Sequence, residues 1–207
     1  PLPTDLKKNR TPQDLIHKCE RVRFDMPNIR TSISHPLLIA DVLVGDELGS
    51  IGITICPGKK DPISPGGVWD RDLDLDLDVC QRWGASAVLC LIESHEFGLL
   101  KVEGLSEGVQ NRGMKWYHLP IRDVWIPEQN FEDAWDSQGA EIRDLIRRKG
   151  KVLIHCRGGL GRSGIIAARL LIEFGVDREE AIVRVRESRP GAIETQEQEQ
   201  YVMGVKG

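Results

Sequence analysis

The chain has 207 residues, 40% hydrophobic and 29% charged, with 21 Gly and 11 Pro. That mix fills one domain of ordinary size and excludes a disordered, collagen-like or coiled-coil chain. Its 28 basic and 32 acidic residues give a net charge of −4, which argues against a globally basic nucleic-acid binder but leaves room for a local positive pocket.

No charged-then-apolar leader opens the sequence. Residues 1–35 carry four prolines and the basic run Lys7-Lys8-Asn9-Arg10. Beyond a short capped helix over Thr11–Cys19 they show no period, and they read as an N-terminal arm against a domain at 36–207. The β-rich runs Leu37–Val44 and Ile51–Ile55 predict a hairpin, followed by a Pro/Gly-rich connector over Pro57–Gly67. Residues 72–78 alternate Asp and Leu, as a strand would. However, Leu73, Leu77, Cys80 and Gly84 share one helical face and Asp suits a helix N-terminus, so a helix is predicted. Its carboxylates read as a solvated face, because alternate carboxylates without His do not converge into a metal site.

The apolar run Ala87–Ile92 predicts a strand buried on both faces. A short helix at Leu105–Asn111, a strand at Lys115–Leu119 and a loop with Pro120 and Pro127 follow. A long helix is expected over Asn130–Lys149, then a strand at Val152–His155 and a Gly-rich loop over Cys156–Gly161. Helices are expected at Ser163–Phe174, at Arg178–Glu187 behind the cap Asp177, and from the cap Thr195 through Tyr201. Strands alternating with helices predict a single α/β domain with a largely parallel central sheet flanked by helices. The longest apolar stretches, 37–40 and 164–168, are too short to span a bilayer. Five scattered cysteines, Cys19, Cys56, Cys80, Cys90 and Cys156, form no CxxC pair. They suit reduced thiols in cytoplasm better than a disulfide framework or a zinc site.

The chemistry concentrates in Val152-Leu-Ile-His-Cys-Arg-Gly-Gly-Leu-Gly-Arg-Ser-Gly164. A hydrophobic strand delivers Cys156 into a loop with three glycines, which opens directly into a helix. Glycine lets successive N–H groups aim at one centre, a nest for an oxyanion, and the helix N-terminus adds partial positive charge. Arg162, six residues after Cys156, can fold its planar fork over that centre and bind two phosphate oxygens. A thiol amid such donors is favoured as thiolate. Anion cradle and nucleophile then share one site, as covalent phosphoryl transfer requires. A dinucleotide reading of Gly158–Gly164 fits poorly, because Arg162 would crowd the ligand and no P-loop Lys follows.

His155-Cys156-Arg157-Gly158-Gly159-Leu160-Gly161-Arg162-Ser163 resembles the His-Cys-x5-Arg-Ser/Thr signature of the cysteine-dependent protein tyrosine and dual-specificity phosphatases. His118-Leu-Pro-Ile-Arg-Asp123 is similar to that family's general-acid loop, and Gly191-Ala-Ile-Glu-Thr-Gln-Glu-Gln198 to its segment after the last long helix. With Ile53-Thr-Ile-Cys-Pro-Gly58, the pattern is most similar to the cyclin-dependent-kinase-associated phosphatase subgroup. The resemblance covers about residues 36–205 and implies a protein tyrosine phosphatase-like fold.

It also implies roles. Cys156 would attack phosphorus, and Arg162 would hold the phosphoryl oxygens with the amides of Arg157, Gly158, Gly159, Leu160 and Gly161. Ser163 would hydrogen-bond the departing sulfur, or serve as a helix cap. Asp123 would protonate the leaving oxygen and then activate water; Glu128 is its rival, and Asp133 and Asp136 fall in a helix. His155 would orient the loop, or be a hydrogen-bonded histidine at a strand end. Gln198 would support the site, or sit on a helix surface. No metal and no cofactor is implied.

The basic arm at Lys8-Asn9-Arg10-Thr11 lacks the aromatic of a phosphotyrosine-recognition loop, so phosphoserine and phosphothreonine are expected substrates beside phosphotyrosine. Trp125, two residues from Asp123, either lines the cleft or covers its rim. The leading expectation is a phosphatase of phosphorylated proteins. A phosphatase for an inositol phosphate or RNA end, and a phosphate-binding module with little turnover, are the alternatives.

Overall fold

The computed structural model describes residues 29–64 and 67–206. The helix expected over Thr11–Cys19 and the basic run before it lie outside them. Five strands form one sheet: β1 (Ala40–Leu43), β2 (Ser50–Ile55), β5 (Ala85–Cys90), β6 (Lys115–His118) and β7 (Lys151–Cys156). Their order is β1-β2-β7-β5-β6, with β1 antiparallel at one edge and every other pairing parallel. The expected sheet is therefore present. Between β2 and β5, the connector expected over Pro57–Gly67 supplies part of a small hairpin of β3 (Lys60–Asp61) and β4 (Trp69–Asp70). Two-residue strands are too short to show alternation, so no period marked them.

Helices α1 (Leu73–Trp83), α2 (Ser94–Leu100) and α3 (Leu105–Asn111) cover one face of the sheet. Helices α4 (Gln129–Arg147), α5 (Gly161–Glu173), α6 (Arg178–Ser188) and α7 (Gln196–Gly204) cover the other. Strands buried on both faces feed both cores: Val152 and Ile154 point to the second layer, Leu153 to the first. β7 lies in the middle because all of its hydrophobic residues need cover on both sides.

The alternating Asp-Leu run is a helix, as its one-face spacing predicted. Asp72 caps it, accepting a hydrogen bond from the Leu75 N–H at 2.9 Å. One carboxylate departs from the expected solvated face. Asp76 is buried and takes Arg71 Nε at 2.7 Å and Nη2 at 2.8 Å, with the Gly58 N–H at 2.8 Å. Helix α2 was not expected, since seven residues of mixed polarity carry too few turns for a period. Helix α5 begins at Gly161, two residues ahead of expectation, so Arg162 and Ser163 belong to its first turn.

Candidate active site

The parallel strands β5, β6 and β7 end on one edge of the sheet, where α/β folds bind ligands. There β7 carries Cys156 into the loop that opens α5, and the thiol is almost wholly buried. Cys156 Sγ accepts the Gly159 N–H at 3.2 Å and lies 3.4 Å from Ser163 Oγ. Gly159 sits at φ +64, and a Cβ there would come within 2.5 Å of the Thr54 carbonyl carbon and oxygen. Only glycine lets the loop press against β2 at this point.

Arg162 is 2% exposed and held by four contacts from three residues. Its Nη1 donates to Glu96 Oε2 at 2.5 Å and to the Ile121 carbonyl at 3.1 Å, and its Nη2 donates to Glu96 Oε1 at 3.1 Å. Asp123 Oδ1 lies 2.7 Å from the same Nη2. Burial disfavours the guanidinium charge, but the hydrogen bonds of Glu96 and the charges of Cys156, Glu96 and Asp123 outweigh it and raise the pKa. For Glu96, burial pushes up and Arg162 pulls down; the net shift is below the ordinary carboxylate value. Sequence reasoning missed Glu96. The one available signal was an acid six residues past the end of β5, the strand beside β7.

Asp123 follows β6 on a loop pinned at two points. Its N–H donates to Glu93 Oε2 at 3.2 Å, and its carboxylate meets Arg162. The next residue, Val124, sits at φ +57, a costly conformation for a β-branched side chain. The rival Glu128 points elsewhere, 3.7 Å from Arg122. Asp133 and Asp136 are exposed on α4, as expected of helix residues.

Gln198 is fully buried, which overturns the helix-surface alternative. Its Nε2 donates to the Trp125 carbonyl at 3.2 Å, and its Oε1 accepts the Glu194 N–H at 2.9 Å. Ile193, at φ +59, is a second β-branched residue held in the left-handed region beside this bridge. The Trp125 ring is stacked under Arg122 and 40% exposed, so it belongs to the rim.

Within the loop, Arg157 turns its side chain away to Asp61, donating Nε and Nη2 at 2.9 Å each. Those hydrogen bonds, working against burial, raise the Arg157 pKa. Gly161 is the tight point of the loop: Glu194 Oε2 accepts its N–H at 2.7 Å, and a Cβ there would lie 2.5 Å from that oxygen, whereas a Cβ at Gly158 would meet open space. His155 is wholly buried, and neither ring nitrogen has a hydrogen-bond partner among the described residues. Burial pushes its pKa down to about 3, against a contact from the Cys156 backbone, and keeps the ring neutral.

Residues 76–202 match the family model described as Swiss Army Knife protein, DSP-PTPase phosphatase domain. The chain belongs to this family. The cyclin-dependent kinase inhibitor 3 proteins of Rattus norvegicus and Homo sapiens are each 30% identical to the phosphatase domain over 135 residues. That alignment covers 64% of this chain, and the chain spans about 62% of the length of these curated relatives. A structure of kinase associated phosphatase, with serine at its catalytic-site cysteine, superposes with a TM-score of 0.70 at 26% identity, covering 81% of this chain and 92% of that one. Tk-PTP in its active form gives 0.59 at 28% identity over 79% and 93% of the two chains. These likenesses agree with the subgroup read from the sequence. The family match begins inside α1, so the first four strands of this phosphatase domain lie outside it. Among the described residues no helix is long and apolar enough to cross a membrane.

Proposed function

We propose that this chain hydrolyses phosphotyrosine, phosphoserine and phosphothreonine in proteins through a cysteinyl-phosphate intermediate. Cys156 Sγ attacks phosphorus, and the S–P bond forms as the P–O bond to the side-chain oxygen breaks. Arg162 and the loop amides ahead of Gly161, whose own N–H is taken by Glu194, hold the three phosphoryl oxygens while charge shifts among them. Asp123 gives its proton to the leaving oxygen, then takes one from the water that displaces sulfur. Ser163 hydrogen-bonds the departing thiolate. His155, neutral and buried, positions the Cys156 backbone.

The observation that carries this reading is the convergence on Cys156 Sγ of the Gly159 N–H and Ser163 Oγ, beside an Arg162 already fixed by Glu96 and Asp123. The 2.7 Å contact between Asp123 and Arg162 supports a carboxyl group within reach of the cradle. Relatives named as a kinase inhibitor and a kinase associated phosphatase support a phosphorylated protein as the substrate. The cytoplasm as its compartment rests on the cysteine pattern alone. The test is p-nitrophenyl phosphate turnover in EDTA. Wild type should turn over, and Cys156→Ser should bind vanadate without turnover. More than a few percent of wild-type activity in a folded Cys156→Ser protein would remove Cys156 as the nucleophile.

A further inference from the structure

The loop that carries Asp123 has little packing to hold it. Its backbone follows β5 only as far as Ile121, whose N–H donates to the Leu91 carbonyl at 3.0 Å. From Arg122 to Trp125 every residue is exposed. A cavity of about 430 Å3 opens between the loop and α2, lined by Ser94 and His95 on one side and by Arg122, Ile126 and Glu128 on the other. The turn itself is unfavourable. The Trp125 N–H closes it onto the Arg122 carbonyl at 3.1 Å, with Asp123 and Val124 at its corners. Val124 takes φ +57 at a corner where such turns favour Gly or Asn. Left to itself, this segment would relax Val124 to negative φ and turn the Asp123 carboxyl with it.

Three side chains oppose that relaxation. Gln198 Nε2 donates to the Trp125 carbonyl at 3.2 Å, two residues along from the acid. Arg162 Nη2 meets Asp123 Oδ1 at 2.7 Å. Glu93 Oε2 accepts the Asp123 N–H at 3.2 Å. Glu93 is itself well supported. It is the N-cap residue of α2, and its own N–H donates at 2.8 Å to Glu96 Oε2, the oxygen that also takes Arg162 Nη1. One short segment, Glu93 to Glu96, therefore fixes the Arg162 fork with one carboxylate and the Asp123 backbone with another.

We propose that Glu93 is the positioning residue of the general acid. The inference rests on the reading of Cys156 as nucleophile and Asp123 as acid. When a phosphoryl group enters the cradle, Arg162 turns its donors to the phosphoryl oxygens and lets the Asp123 carboxylate go. The acid then needs its side chain free to reach the leaving oxygen while its backbone stays in place. Glu93 supplies that hold, because it binds the Asp123 N–H and leaves the carboxyl untouched. It meets neither substrate nor reacting atoms, so it acts only through Asp123. Loss of its acceptor oxygen must then harm each ester in proportion to the acid help that ester needs.

The experiment measures kcat/KM for phenyl phosphate and for p-nitrophenyl phosphate. That constant stops at the first irreversible step and so excludes breakdown of the phosphoenzyme. The ratio of the two is internal to each protein. Glu93→Met, which keeps bulk and removes the acceptor, should lower the phenyl-to-nitrophenyl ratio by about tenfold or more, in the direction of Asp123→Ala. Glu93→Gln retains an acceptor oxygen and should bring the ratio back to within about threefold of wild type. In an Asp123→Ala background, Glu93→Met should leave the ratio where Asp123→Ala put it, because both changes act through one proton. If Glu93→Met does not fold, Glu93→Asp decides: it keeps the charge and suits a helix cap, but its carboxylate is one methylene short of the Asp123 N–H, so the ratio should fall. An unchanged ratio in the deciding variant overturns the proposal even where both constants drop together, since a uniform loss marks damage to Arg162. A Glu93→Gln ratio as low as that of Glu93→Met overturns it too, as does a further fall in the Asp123→Ala background. Wild type inert toward p-nitrophenyl phosphate defeats the proposed function, and an Asp123→Ala ratio equal to wild type defeats Asp123 as the acid. A lowered Asp123→Ala ratio beside an unchanged Glu93→Met ratio defeats only the role of Glu93.

Discussion

Glu96→Gln is the most informative single change, because it keeps volume and removes charge at the one residue that fixes Arg162 from behind. Glu96 accepts Arg162 Nη1 at 2.5 Å, Arg162 Nη2 at 3.1 Å and the Glu93 N–H at 2.8 Å, all away from solvent. A glutamine oxygen can keep part of this set, but its NH2 group must face a donor. Losing one charge-assisted bond costs about 1.5–3 kcal/mol. The unbalanced guanidinium brings the total to roughly 3–5 kcal/mol, as for a broken buried ion pair. A fork displaced by about 1 Å lowers catalysis on the order of 100-fold. Urea unfolding measured by near-UV circular dichroism, with kcat for p-nitrophenyl phosphate on the same stock, reads both effects. The stability gap must also depend on pH. The folded carboxyl of Glu96 lies below its ordinary value, so its contribution is complete above the unfolded value of about 4.3. It fades as pH falls through the folded value. A folded Glu96→Gln protein with wild-type stability and kcat within threefold would refute the assignment of Glu96 as the anchor of Arg162.

Gly159→Ala should lower stability by about 1–3 kcal/mol through its left-handed φ and the contact with Thr54, with activity lost as the loop shifts; thermal unfolding and turnover check both. Asp123→Ala should slow alkyl phosphates more than p-nitrophenyl phosphate, whose leaving group needs little acid help; equal losses would send the search for the acid elsewhere. Ser163→Ala should give a burst of nitrophenol near one per site with kcat lowered and kcat/KM kept, whereas equal losses without a burst would leave Ser163 a helix residue only. His155 stays neutral when folded, with a pKa of about 3, but takes a proton when unfolded below about pH 6.5. Wild-type stability should therefore fall from pH 6.5 downward by up to ~1.4 kcal/mol per pH unit from this group, and His155→Leu should flatten that slope in urea titrations.

What the sequence determined by itself is local. The run from Val152 to Gly164 dictates a strand, a glycine loop and a helix in immediate succession. Their geometry alone places the Gly159 N–H and Ser163 Oγ against Cys156 Sγ. The alternation of strands and helices likewise gave the parallel sheet, and Asp177 and Thr195 cap the helices they were expected to cap. Charge partners were not legible. Arg162 finds Glu96 across 66 positions of sequence, and Arg157 finds Asp61 across 96. Those pairs exist because β7 lies between β2 and β5, so the segments following β2 and β5 arrive on either side of the Cys156 loop. No spacing in the chain encodes that order. Burial was also beyond reach for Asp76 and Gln198, polar residues on helices whose hidden faces depend on what packs above them. Side-chain types and short spacings fix local backbone and the nucleophile's immediate donors, whereas desolvation and the pairing of buried charges are set by strand order and layer packing.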